Sequence, residues 1–150
     1  KRWLRMSSFI AAIAPKFQGL TSQQRAIDDC YASTKEDIIQ AMAKVVFGQE
    51  KEKETALKNL PATLDKFLSV LEDKAPQQGF THGLGFPTGA DLALLNITSA
   101  GFPFQKSYKA ANYDWQSKFP KIKALVERTQ AAPGVQEYLA SSKSFGAIPF

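Results

Sequence analysis

The sequence predicts an all-α protein, built as one bundle of five to six helices. Three observations support this fold class. In every long segment, apolar residues recur in steps of three and four, which places them on one side of a helix. No segment shows the alternation of apolar and polar residues that is typical of strands. With 150 residues, of which 44% are hydrophobic, the chain is long enough to bury one core and too short for two ordinary domains.

Composition excludes several classes of protein and of site. The net charge is +5, but most basic residues are spread along helical patterns, so we predict no nucleic-acid binding. One cysteine and one histidine exclude an internal disulfide framework and leave too few ligands for a zinc site, so we predict no metal site. The longest apolar run is far shorter than the roughly 20 residues of a transmembrane helix.

The N-terminal segment, residues 1–17, has a basic start and a short apolar stretch that ends at Pro15. Proline lacks the backbone N–H that a helix needs, so the pattern predicts an amphipathic helix that stops there. The same order of a basic and an apolar region also resembles a targeting peptide. We therefore expect a cytoplasmic protein and keep an organellar location as the alternative. Because the first residue is Lys1, we also expect a trimmed chain or a segment of something longer.

Two long helices follow and are predicted to form an antiparallel hairpin. Thr21 or Ser22 caps the first helix by accepting a hydrogen bond from its first turn, and Gly48 ends it. The second helix begins at residues 50–53 and contains Pro61, which removes one backbone hydrogen bond and predicts a kink. The apolar stripes are Ile27, Cys30, Tyr31, Thr34, Ile38, Ala41, Met42, Val45 and Val46 in the first helix, and Leu57, Leu60, Leu64, Phe67, Leu68 and Leu71 in the second.

A glycine- and proline-rich loop, residues 75–87, precedes the third helix. The sequence from Thr88 to Asp91 has the spacing of a capping box, with aspartate where glutamate or glutamine is usual. We predict that the Asp91 carboxylate accepts a hydrogen bond from the Thr88 backbone N–H, so both residues are assigned as a structural cap. The apolar run at residues 92–97 predicts that this helix is central and buried.

The last part of the sequence is a looser stretch followed by two more helices. Residues 101–119 show no sustained pattern. Pro120 and Pro133 each open a helix, because the fixed φ and missing N–H of proline suit the first helical position. We expect the helical domain to span residues 18–143 and residues 144–150 to form an apolar tail.

No catalytic constellation is visible, and no catalytic residue is predicted. The glycines between residues 79 and 89 lack the third glycine and the preceding strand of a phosphate-binding loop. His82 has no carboxylate or nucleophile close in sequence. Cys30, on the apolar stripe, is predicted to be a small core residue rather than a reactive thiol. Asn96 begins a glycosylation sequon, but the predicted burial of its helix argues against modification.

Three stretches carry motifs that occur together in one family. They are FPTGADLA at residues 86–93, FPKIKAL at residues 119–125 and PGVQEYL at residues 133–139. With the long helix pair before them, they resemble the C-terminal helical domain of glutathione transferases, closest to the sigma- and alpha-like cytosolic branch. The box from Thr88 to Asp91 is similar to that family's folding cap, with Pro87 in place of the usual apolar residue. The resemblance covers roughly residues 9–142.

The resemblance implies that a thioredoxin-like domain upstream of this segment binds glutathione and activates its thiol. That domain is missing from the sequence, so we expect no cofactor, and glutathione is a co-substrate only if the upstream domain is present. The family's last glutathione contact in that domain is a Gln-Ser pair, and its position falls on Arg5-Met6. Neither side chain accepts or donates as Gln and Ser do.

The resemblance also implies site residues within the helical domain. Glu36 falls where an aspartate on the first long helix reaches the glutathione of the partner subunit. The electrophile pocket would be lined by Met42, Val45, Val46, Phe145 and Phe150. Plain core packing is the alternative for these residues, above all for the two valines.

Two functions are therefore open. In the first, the chain is a non-catalytic binding or assembly module, or a subunit of a larger complex, and is inactive alone. In the second, it is the electrophile-binding half of an active glutathione transferase. We favour the first, because the thiol-activating residue is missing and Arg5-Met6 departs from the family. As partner we expect a second copy, paired through the first helix pair, or a larger assembly that holds the N-terminal segment with Phe9, Ile10 and Ile13.

Overall fold

The computed structural model describes residues 9–98 and 104–141, and all regular structure within these ranges is helical. Residues 9–13 are helical and a 3₁₀ turn spans Pro15–Phe17. Seven α-helices then follow in the described residues: α1 (Ser22–Phe47), α2 (Glu50–Lys74), α3 (Gly89–Thr98), α4 (Lys106–Ala110), α5 (Trp115–Lys118), α6 (Pro120–Ala131) and α7 (Pro133–Ser141). The predicted all-α fold class is confirmed. Of these described helices, none combines the length and the apolarity needed to cross a bilayer.

The helix ends lie where the local sequence signals predict them. The helix at residues 9–13 stops before Pro15. At the start of α1, the Thr21 hydroxyl accepts from the Gln24 backbone N–H at 3.2 Å, and the Gln24 side chain accepts from the Thr21 N–H at 2.9 Å. This is a complete capping box. Helix α1 ends at Gly48, and α2 continues through Pro61, where the kink stays a prediction.

The core lies between α1, α2, α3 and α6. Helix α1 packs on both α2 and α3, and α3 packs on α6. Side chains from all four helices are almost completely buried: Ile38, Met42, Leu60, Leu64, Leu68, Leu94, Ile97, Ile122 and Leu125. The central helix is not enclosed on every side, however. Leu92 is 40% exposed and Asn96, one turn later, is also exposed, so the predicted burial of Asn96 is wrong.

Helices α4 and α5 lie in the stretch that the sequence predicts as loose, and they raise the number of helices in the described residues above the predicted five to six. Four or five residues are too few to show a helical period. Local signals form them instead. The Asp114 carboxylate accepts from the backbone N–H groups of Gln116 and Ser117 at 3.1 and 3.3 Å and so caps α5. Helix α4 ends at Ala110, and Asn112, which follows the C-cap Ala111, has a φ of 48°, a left-handed conformation that asparagine tolerates.

A second cap joins two helices that are distant in sequence. The Glu72 carboxylate, near the end of α2, accepts from the backbone N–H groups of Lys121 and Ile122 at 2.9 and 2.8 Å. These are free donors at the start of α6, where the N-cap residue Phe119 provides no side-chain cap. Arg128 of α6 donates to the carbonyl of Pro76 at 3.0 Å. The end of α2 and the following loop are therefore fixed to α6.

Cys30 is exposed, so its predicted placement in the core is wrong. Successive residues of an α-helix are about 100° apart around its axis. Tyr31, Ile38 and Met42 set the buried side of α1, and Cys30, one residue before Tyr31, therefore faces outward.

Of the sequence-based assignments, Arg5-Met6 and the tail at 144–150 lie outside the described residues, and the domain limits stay predictions.

Candidate functional site

The N-terminus of α3 is held by a buried carboxylate. Asp91 is fully buried, and its Oδ2 accepts from the Thr88 backbone N–H at 2.8 Å, which is the hydrogen bond that the sequence predicts. Its Oδ1 accepts from the backbone N–H of Thr81 at 2.9 Å and from the Thr81 hydroxyl at 2.6 Å. Asp91 thus fixes the preceding loop as well as its own helix.

The other half of the cap comes from α1 rather than from Thr88. In a capping box the threonine oxygen accepts from the helix, but here the Thr88 hydroxyl donates to Asp28 Oδ1 at 2.9 Å. Asp28 also accepts from the backbone N–H groups of Gly89 at 3.1 Å and Ala90 at 3.0 Å. A carboxylate is stabilised there by these free donors and by the positive end of the helix dipole.

Gly89 provides the space for this approach. A Cβ atom added at Gly89 would lie 3.1 Å from Asp28 Oδ2 and 3.2 Å from its Cβ and Cγ. Contacts this short would push the carboxylate away from the helix. The glycine is therefore favoured by the close approach of a neighbour that is distant in sequence, and not by its own backbone conformation.

His82 completes the arrangement from the loop. Its Nε2 lies 2.8 Å from Asp28 Oδ1, and the two side chains are 3% and 14% exposed. The sequence offered no partner for His82, because Asp28 is 54 residues away along the chain. Neither the histidine nor Asp28 was predicted as part of the cap, and no local motif links them.

Tyr31 lies on the buried side of α1, close enough to Asp91 to interact with its charge. Burial, and then the negative charge of Asp91, raise the pKa of the Tyr31 phenol above its usual value. The buried hydroxyl makes no hydrogen bond within the described residues. At neutral pH this phenol is therefore protonated, and it cannot serve as a base.

A second group of polar contacts surrounds Asp65 on α2. The Tyr113 hydroxyl donates to Asp65 Oδ1 at 2.6 Å, and the Lys118 ammonium group lies 2.8 Å from the same oxygen. The bonds from Lys118 and Tyr113 lower the pKa of the Asp65 carboxyl. Burial, and then the bond to Asp65, raise the pKa of Tyr113, and burial raises the pKa of Tyr108. Both phenols stay protonated at neutral pH.

An open cleft of about 390 Å³ lies beside α4 and α5. Of the residues that the resemblance assigns, none of the described ones, Glu36, Met42, Val45 and Val46, lines it. Its lining consists of Gln105, Tyr108, Lys109, Asn112, Tyr113, Asp114, Trp115 and Gln116. Asp114 already caps α5, so its carboxylate is committed to the backbone.

Of the residues assigned to the electrophile pocket, the structure describes Met42, Val45 and Val46, which lie close together on α1. Met42 is fully buried within the core, where its carbonyl accepts from the Ser107 hydroxyl at 3.4 Å. Val45 and Val46 are half-buried. Phe145 and Phe150 lie outside the described residues. The burial of Met42 agrees with the alternative of core packing, and the pocket assignment stays a prediction.

Glu36 is half-buried on α1, and its carboxylate lies 3.3 Å from the ammonium group of Lys35. Its predicted contact with the glutathione of a partner subunit is not tested by this chain alone. Within the two described ranges, no cluster of His, Cys, Asp and Glu has the geometry to hold a metal ion.

An apolar surface lies at the start of the described chain. Phe9, Ile10 and Ile13 are 64%, 56% and 56% exposed. Their spacing places them on one side of the helical residues 9–13. Just after them, the rings of Phe17 and Phe86 meet edge to face at 5.8 Å, so the segment is joined to the loop before α3.

The sequence matches the family described as "Glutathione S-transferase, C-terminal domain" over residues 36–142. This match covers most of the chain. The chain belongs to the glutathione S-transferase family. The predicted family is therefore confirmed, and α2 to α7 lie within the matched range. Asp28 precedes this range, whereas His82, Thr88 and Asp91 lie inside it.

A relative in this family has the name "Glutathione S-transferase P 1" and comes from Xenopus laevis. The two chains are 31% identical over 125 residues, which cover 82% of this chain and 55% of the relative. The chain thus spans about half the length of that glutathione S-transferase.

Proposed function

We propose that this glutathione S-transferase-family chain is a non-catalytic binding or assembly module that joins a larger complex through an apolar helical surface. The observation that carries the proposal is the exposure of Phe9, Ile10 and Ile13 on one side of a helix. Monomeric proteins seldom leave large apolar side chains together in water, and such clusters mark surfaces that bind other proteins. The module would bind through this surface, and a second copy or another subunit would cover it.

The chemistry of the described residues supports a role in binding rather than in thiol activation. A thiol with a pKa near 8.5 is mostly protonated at neutral pH and needs a group that stabilises the thiolate. Tyr108 and Tyr113 are buried phenols whose hydroxyls already donate to a carbonyl and to Asp65. His82 is held against Asp28. None of these groups is positioned to receive a proton from a bound thiol.

Catalysis by the 150-residue chain is the first test. We expect no conjugation of glutathione to a generic aromatic electrophile above the uncatalysed rate, and no retention on immobilised glutathione. Turnover above that rate would overturn the non-catalytic proposal.

The second test concerns the apolar surface. By size exclusion with light scattering, we expect the chain to be larger than a monomer. Replacing Ile10 and Ile13 with serine removes apolar area from the proposed interface and should yield a monomer. Val70 on α2 is 58% exposed and provides the matched control, because V70S removes a similar exposed side chain elsewhere. The proposal is contradicted if the wild-type chain is a monomer that binds no other subunit. It is also contradicted if V70S has the same effect as the serine substitutions at Ile10 and Ile13.

The second candidate function is the electrophile-binding half of an active glutathione transferase. The relation to the Xenopus protein favours it. In that case a thioredoxin-like domain supplies the glutathione site, Glu36 contacts the glutathione of the partner subunit, and Val45 and Val46 line the electrophile pocket. Adding a thioredoxin-like glutathione-binding domain, fused or in trans, then restores conjugation, and V46A changes the KM for the electrophile more than the KM for glutathione. If conjugation is not restored, the result favours the non-catalytic module.

For both functions we propose the cytoplasm as the compartment, with an organelle as the alternative. A fluorescent fusion at the C-terminus distinguishes them, because it leaves the basic N-terminal segment free.

A further inference from the structure

The loop before α3 is connected to two different helices at adjacent residues. Thr81 donates to Asp91 of α3, and His82 contacts Asp28 of α1. Gly79 and Gly83 stand on either side of this pair with φ values of 69° and 68°. A left-handed conformation suits glycine far better than other residues, and a Cβ at either position would meet nothing within 4 Å. The loop therefore consists of a two-residue anchor between two glycine hinges.

We propose that residues 79–91 open and close as one conformational unit, and that Asp28 of α1 holds this unit closed. We call Asp28, His82, the Thr88 hydroxyl and the N–H groups of Gly89 and Ala90 the α1–α3 latch. One carboxylate accepts all of the donors in the latch. The loop and the first turn of α3 thus depend on the same acceptor.

The burial of the latch makes its opening cooperative. The His82 and Asp28 side chains are only 3% and 14% exposed, so little water reaches the contact between them, whereas the bond from Gly89 lies at the surface. Breaking the contact to His82 removes the bond between the loop and α1, while Thr81 stays bonded to Asp91, and it also exposes the carboxylate that caps Gly89 and Ala90. Local opening of this kind, at a free energy below that of global unfolding, is a general property of segments fastened by few contacts.

The latch couples the position of α1 to the first turn of the central helix. Helix α1 also packs on α2, so any shift of α1 at Asp28 withdraws the acceptor from α3. The proposal does not depend on the function proposed above, because it rests on contacts within this chain alone.

Native-state hydrogen exchange on the full 150-residue chain tests the proposal. In D28N, one carboxylate oxygen becomes an N–H₂ group that cannot accept from the helix. We expect exchange of the amides in residues 79–92 to rise about tenfold, as for a lost helix cap, while peptides from α2 and α6 keep their rates. D37N, an exposed aspartate on the same helix, provides the control and should change nothing.

A second pair of variants tests the same unit without altering a charge. G89A adds a methyl group about 3.1 Å from the Asp28 carboxylate and should open the same peptides. In G134A the added Cβ meets nothing within 4 Å, and that glycine is also near a helix start, so no loosening is expected.

Combining D28N with H82F shows whether the loop and the cap form one unit. If they do, the double variant exchanges no faster in residues 79–92 than D28N, because each change opens the same unit. The proposal is overturned if the fold-changes of the two single variants multiply in the double variant. It is also overturned if exchange rises equally in every helix, or if D28N changes nothing.

Discussion

The most informative single change is the loss of the Asp91 carboxylate. In D91A, the backbone N–H groups of Thr81 and Thr88, which now donate at 2.9 and 2.8 Å, lose their acceptor. A buried donor without a partner costs about 1–3 kcal/mol, so two cost about 2–6 kcal/mol. Thr81 is only half-buried and regains water when its loop relaxes. We therefore expect a loss near 3 kcal/mol, more than the roughly 0.5–2 kcal/mol of an ordinary cap.

Urea denaturation followed by far-UV circular dichroism measures this loss. The midpoint should fall with an unchanged m-value, and the melting temperature should drop by about 6–12 °C in a chain of this size. D114A is the matched control, because Asp114 caps α5 on the surface, where water replaces its bonds. D91A should not impair ligand binding by the folded fraction. Equal losses in D91A and D114A would refute the reasoning, and lost binding at unchanged stability would make Asp91 a functional acid.

Three further outcomes are expected. E72A should cost about 1–2 kcal/mol, because Glu72 caps α6 with both oxygens; a denaturation midpoint equal to wild type would contradict this role. Cys30 should be alkylated completely without denaturant, since it is exposed, and mass spectrometry that finds it protected would contradict the outward position. Because the pKa values of Tyr31, Tyr108 and Tyr113 are raised in the folded chain, their contribution to stability should be constant around neutral pH and be lost as the pH rises above about 10; absorbance at 295 nm should then rise together with the loss of helix.

The sequence predicts those features of the fold that depend on neighbours along the chain. The Thr21 cap, the end of α1 at Gly48 and the helix starts at Pro120 and Pro133 each rest on residues within one turn of each other. Local sequence is sufficient there, because the hydrogen bonds and dihedral angles concerned are local. The 3.6-residue period likewise predicts the buried side of each long helix.

The sequence-based predictions are wrong where the burial of a residue depends on the exact direction of its side chain, and where a helix is very short. Cys30 belongs to the apolar stripe by composition, but it stands about 100° from Tyr31 and faces outward. Asn96 belongs to an apolar helix, yet α3 leaves one edge uncovered. Helices α4 and α5 are shorter than the window in which a period can be recognised.

The contacts that fix how the helices are arranged could not be predicted from the sequence at all. Asp28 caps a helix that begins about 60 residues later, and Glu72 caps one that begins about 50 residues later. Both are ordinary acidic residues of long amphipathic helices, and nothing near them identifies a partner. Each becomes an acceptor only after two helices have packed, so each bond depends on the correct arrangement.

These two caps therefore act on specificity as well as on stability. A bundle of amphipathic helices can bury its apolar stripes in more than one arrangement, because hydrophobic burial is non-directional. A carboxylate directed at the free N–H groups of one particular helix end is satisfied in only one of them. In another arrangement the donors of α3 or α6 would lose this acceptor, at about 1–3 kcal/mol for each one that is also cut off from water. Asp28 on α1 and Glu72 on α2 hold α3 and α6, the two helices that pack against each other at the centre of the bundle.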